Sequence, residues 1–218
     1  MNVITLVSGW MLALALGVAQ AGAQPEERFD MLVRGDFLAG FAGDAERLAR
    51  GMAACEQVLS TTPDHPQALV WHGSGLAFRA GTAMSRGDQV HGTALWKQGL
   101  AEMDRAITLA PDNPGVLIPR GALLLQSTRG LPPAMATPLL RSATANYQHA
   151  LDVQEQSGRW RTLGDHAKGE LLFGLAEGYS RLGEPALARR VFDRLLEDAR
   201  TWPVIIVEPR NALKAPKN

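Results

Sequence analysis

Residues 51–66 read GMAACEQVLSTTPDHP, and residues 99–114 read GLAEMDRAITLAPDNP. The two stretches superpose without a gap. Gly51, Cys55 and Val58 fall on Gly99, Met103 and Ala106, and both stretches close in a Pro-Asp-X-Pro turn. A small residue, a bulky one four positions on and an apolar one three further on share one helix face. The small residue admits a neighbouring helix and the bulky one fills the space beside it. The pattern returns at Ala143-Tyr147-Ala150 and at Ala188-Phe192-Leu195. It reads as the second helix of a repeated helical hairpin, and it makes the chain a binding scaffold.

Working outward, the first helix of each hairpin has its own signature. Met31-x-x-Arg34-Gly35-x-x-Leu38, Leu69-x-x-His72-Gly73-x-x-Leu76 and Leu117-x-x-Arg120-Gly121-x-x-Leu124 share one register, and the fourth unit has Leu172-x-x-Leu175-Ala176-x-x-Tyr179. A mid-helix glycine costs about 1 kcal/mol against alanine. Its return at one register in three units predicts a tight helix contact there. The spacing predicts helices over 25–38, 44–60, 66–79, 90–109, 115–126, 137–156, 165–182 and 184–200. Asp44 is the expected N-cap of the second, and the Gly/Pro-rich run 127–133 is a loop.

These residues resemble the tetratricopeptide repeat family, whose units are 34-residue helix–turn–helix hairpins. The fourth unit is the specific match, with Leu172, Leu175, Ala176 and Tyr179 followed by Ala188, Phe192 and Leu195. Pro63 and Pro111 match the repeat-ending proline. The resemblance spans about 31–195 and implies an all-α fold: a right-handed stack, or α-solenoid, of about four hairpins with elongated inner helices. It also implies a non-enzymatic adaptor that holds a protein, peptide or small ligand on its concave face.

The chain departs from the family in two ways. The interval between the small residues of the two helices is 12 in the fourth unit, Ala176 to Ala188, but 16, 26 and 22 in the first three, so segments are inserted in units two and three. The segment 80–88 is the expected insertion in unit two, and insertions map to one rim of a solenoid. The position before the glycine, apolar in the family, holds Arg34, His72 and Arg120.

Those three are the first candidate site. Equivalent positions of stacked units lie side by side, so they form a column of donors for a small anionic ligand. The competing reading pairs each of them internally with a carboxylate such as Asp30, Asp36 or Asp104. Trp96, near the 80–88 segment, is the candidate surface aromatic, whereas Trp71 reads as filling space beside the glycines.

Composition narrows the function further. The first 23 residues carry no Asp, Glu, Lys or Arg and run through the apolar stretch 10–16 to Ala21-Gly22-Ala23. That is a secretory signal with a cut after Ala23, and it places the protein in an exported, periplasmic setting. The n-region lacks the usual basic residue, and the competing reading is an uncleaved anchor. The expected organisation is a signal peptide at 1–23, a repeat domain at 24–200 and a tail at 201–218, whose run 204–207 docks on the last hairpin or offers a strand to a partner.

Lys+Arg and Asp+Glu are equal at 22 each, which argues against a nucleic-acid partner. After cleavage no stretch is apolar for long enough to span a bilayer core of about 30 Å. The lone Cys55 excludes a disulfide framework and reads as a buried small hydrophobe. The five histidines show no zinc-ligand spacing, and His65 and His166 read as capping or surface residues. No nucleotide or hydrolase motif is present, Ser74 is mid-helix, and neither a cofactor nor an enzymatic reaction is expected. A small-ligand carrier or accessory subunit of a solute uptake system, with an enclosed pocket, is the second functional reading.

Overall fold

The structure is a computed structural model that describes residues 29–199. The expected signal segment, the start of the first expected helix and the tail lie outside the described residues. Within them eight α-helices follow one another: α1 (Phe29–Phe41), α2 (Ala45–Thr61), α3 (Pro66–Ser85), α4 (Gln89–Leu109), α5 (Pro114–Ser127), α6 (Pro133–Gln156), α7 (Asp165–Arg181) and α8 (Pro185–Asp198). A 3-10 turn, Arg159–Thr162, sits between α6 and α7.

Local chemistry explains the starts. Asp44, His65, Asp88 and Asn113 each precede a helix, and each side chain accepts a backbone N–H of the first turn at 2.9–3.1 Å. That satisfies a donor the helix cannot satisfy itself. His65 and Asn113 hold the same place in the two Pro-Asp-X-Pro turns, and Pro66 and Pro114 supply a preset φ at the helix start.

The helices pack in sequential pairs, α1 on α2, α3 on α4, α5 on α6 and α7 on α8. The first helices also pack in succession, α1 on α3, α3 on α5 and α5 on α7. Two buried clusters result. One is built on Phe37, Met52, Val70 and Met103, the other on Tyr147, Leu172, Leu175 and Phe192. They meet at α5, which gives Val116 and Leu123 to the first and Leu117, Leu124 and Leu125 to the second.

The expected insertion in unit two takes the form of longer helices. α3 continues to Ser85 and only 86–88 connect it to α4, through Gly87 at φ +90°. The extra turns are held by packing: Ala80 is fully buried, and a Cβ on Gly92 would lie 2.5 Å from Met84 Cγ and 3.0 Å from the Ala80 carbonyl oxygen. α6 likewise begins at Pro133, four residues before the expected start, because proline is well placed at the first position of a helix.

The repeated glycines mark close crossings in two of three units. A Cβ on Gly73 would meet the Gly99 carbonyl oxygen at 2.6 Å, and one on Gly121 would meet the Tyr147 ring at 2.9 Å. At Gly35 the nearest atom is only the tip of Arg47, at 3.3 Å; in unit one the close approach lies at Gly40 instead, where a Cβ would meet Leu48 Cβ at 2.6 Å.

Candidate functional site

The inward faces of the first helices surround a cavity of about 420 Å³. α1 contributes Arg34 and Leu38, α3 contributes Trp71, Ser74 and Phe78, α5 contributes its length from Pro114 to Gln126, and α7 contributes Glu170. Spacings of three and four along α1, α3 and α5 put these side chains on one face of each helix. The wall is mostly apolar. Trp71 stacks on Phe37 with centroids 5.1 Å apart, and Phe78 stacks on Phe41 at the same distance. A shallower cleft of about 140 Å³ shares Ala122, Gln126 and Glu170 with the cavity and runs on between α5 and α7 toward Glu177.

Of the three register-matched side chains, Arg34 alone borders the cavity. Its guanidinium donates to the Glu170 carboxylate, an ion pair that joins α1 to α7. Those helices do not pack on each other to any extent. The two side chains are 26% and 30% exposed, so water reaches the pair.

His72 and Arg120 lie between helices instead. His72 sits with Nδ1 2.6 Å from Glu102 of α4 and Nε2 3.6 Å from Glu56 of α2. Arg120 donates to Asp104 of α4 at 2.6 Å and to the Ser142 hydroxyl of α6 at 2.8 Å. Glu56 directly follows Cys55 and Asp104 directly follows Met103, so the two braces are the same contact in successive units. A carboxylate on one second helix meets a His or Arg on the next first helix. In the third interval Gln148, which follows Tyr147, accepts from the Tyr179 hydroxyl at 3.1 Å.

The expectation of three free donors converging on one surface is therefore corrected. Each of the three side chains is paired with a carboxylate within the fold, because leaving a polar or charged group half-buried and unpaired is costly. Trp96 is half-buried against both core clusters and is not on the cavity wall.

Sequence reasoning gave Trp71 a packing role only. It is 5% exposed and packs on Phe37, but it also lines the cavity, and its indole N–H has no partner. Glu170 carried no motif, and the signal for it is visible only once α7 is placed opposite α1. Pro119 went unread as well. It stands inside α5, where its missing N–H leaves the Gly115 carbonyl without its helical donor, and both residues lie on the cavity wall.

Cys55 is fully buried, and burial pushes its thiol up to about 12. Ser74 donates to the Val70 carbonyl within its own helix at 2.7 Å. Among the described residues no group of three His, Cys, Asp or Glu side chains is placed to hold a metal, and no helix is long and apolar enough to cross a membrane. Neither the protein-family models nor the curated proteins give a match to this sequence.

Proposed function

We propose that the chain is an exported, non-enzymatic binding scaffold of the tetratricopeptide-like kind, a right-handed stack of four hairpins that holds a small ligand on its inner face. The observation that carries this reading is the apolar cavity between α1, α3, α5 and α7. A partly enclosed apolar cavity with few polar groups is the usual form of a small-molecule site. The successive packing of the first helices supports the stacked arrangement, since it turns equivalent faces toward one space. The adaptor reading, in which a protein or peptide lies in an open groove, has weaker support because the apolar wall is gathered into one recess. The small-ligand carrier is accordingly the form of the scaffold preferred here.

A thermal-shift screen of the full chain against a broad panel of small metabolites tests this. At least one compound is expected to raise the melting temperature, and Ala122→Phe, which fills the cavity from an exposed wall position, is expected to abolish that rise. A panel that leaves the parent unmoved, or a shift that survives Ala122→Phe, overturns the proposal.

A further inference from the structure

The cavity has a chemical asymmetry that narrows its ligand. Its body is apolar, with Trp71, Phe78, Ile118 and Leu123 on the wall. Its charge is concentrated in one guanidinium, Arg34, and two carboxylates, Glu170 and the buried Asp30. Arg34 and Glu170 face each other from helices with no packed interface between them. A water-accessible ion pair of this kind is weakly held, so a ligand bearing both charges can replace one pair with two.

The Trp71 indole N–H is buried without an acceptor, which is rare in a folded protein, and Trp71 is part of this wall. Pro119 has no N–H to give the Gly115 carbonyl, and both residues line the same wall. The two charges on the wall are a guanidinium that can take a carboxylate and a carboxylate that can take an ammonium group.

We infer that the cavity binds a free α-amino acid with a large apolar side chain: its carboxylate pairs with Arg34, its ammonium pairs with Glu170, and its side chain lies among Trp71, Phe78 and Ile118. The inference rests on reading this cavity as the binding site.

The test is isothermal titration calorimetry of the full chain with L-tryptophan and L-phenylalanine, with the N-acetyl and methyl-ester forms of each, and with indole. The free amino acids are expected to bind, and acetylation or esterification is expected to weaken binding at least tenfold. Arg34→Met is expected to weaken the free amino acid but not its methyl ester. Glu170→Gln is expected to weaken the free amino acid but not its N-acetyl form. The modified ligands test the assignment on the unaltered protein, so a variant that fails to fold does not leave it open. If indole or the blocked forms bind as tightly as the free amino acids, the zwitterion assignment is overturned while the cavity remains a binding site. If no probe binds, indole included, but other compounds still shift the melting temperature in a way Ala122→Phe removes, the ligand class is wrong and the scaffold stands. Silence in both experiments overturns both.

Discussion

A methyl group added at Gly73 would have nowhere to go. Its nearest neighbour, the Gly99 carbonyl oxygen at 2.6 Å, belongs to the backbone of α4 and cannot swing aside. The two helices would have to separate, and overpacking of this kind costs about 1–3 kcal/mol. Gly73→Ala and Gly73→Leu are expected to lower the denaturation midpoint in that order. Gly121→Leu is expected to do the same, because the Tyr147 ring is held between Gly121 and Gly174. Gly35→Ala meets only the end of the Arg47 side chain, at 3.3 Å, and gains helix propensity of up to about 1 kcal/mol, so it is expected to be neutral or stabilising. Equal midpoints for the parent and both Gly73 variants would show that α3 and α4 do not cross closely. The register of these glycines was legible in the sequence; what each one faces was not, since that depends on the partner helix. Cys55 gives a second residue-scale expectation. Its thiol is fully buried and raised to about 12, so it carries almost no thiolate near neutral pH. Iodoacetamide should leave it unmodified in the native protein and label it in urea, and rapid native labelling would contradict its burial.

At the scale of the element, capped helix starts were easier to read than helix lengths. Asp44, His65 and Asn113 cap because short acceptor side chains before a helical run have one satisfying role. The extension of α3 to Ser85 had no such local signal. Gly81 and Ser85 weaken the helical propensity there, and it is the contact of Ala80 and Met84 with Gly92 on α4 that holds those turns. α5 is the opposite case, a helix that retains a proline in its interior. Replacing Pro119 with alanine restores an N–H to the Gly115 carbonyl and removes a helix-disfavouring residue. Pro119→Ala is expected to raise the melting temperature and to weaken binding in the cavity, an exchange of stability against function. Paired melts and titrations of this variant check both halves, and a variant that binds as tightly as the parent would show that the freed carbonyl plays no part.

At the scale of the whole molecule, polar side chains tie the units together across their apolar interfaces. The braces Glu56 to His72 and Asp104 to Arg120 join neighbouring pairs at one register: a carboxylate five positions after the small residue of one second helix, then the His or Arg before the glycine of the next first helix. Asp104 was among the carboxylates the sequence offered as internal partners, and it is the one Arg120 takes; Glu56, Glu102 and Glu170 were not legible, because which carboxylate faces which side chain depends on how the helices are placed. Removing Asp104 strands a guanidinium that is only 13% exposed. A double-mutant cycle on Asp104→Asn and Arg120→Met should therefore give a coupling energy above the roughly 0–1 kcal/mol of an exposed pair. A coupling near zero would reduce the brace to a surface contact. Arg34 differs because no second helix precedes it among the described residues. Its carboxylate lies at the far side of the cavity, on α7, so the pair joins the first hairpin to the last without a packed interface to back it. A link of that kind limits how far the ends of the stack open more than it adds to overall stability. Glu170→Gln is accordingly expected to leave the unfolding free energy within about 1 kcal/mol of the parent, while amide exchange quickens in α1 and at the start of α7. The amides of α5 and α6, packed on both sides, should exchange as before. Uniform acceleration along the chain would mean that the pair stabilises the fold as a whole. Unchanged exchange in α1 would mean that the two ends are held together by something other than Arg34 and Glu170.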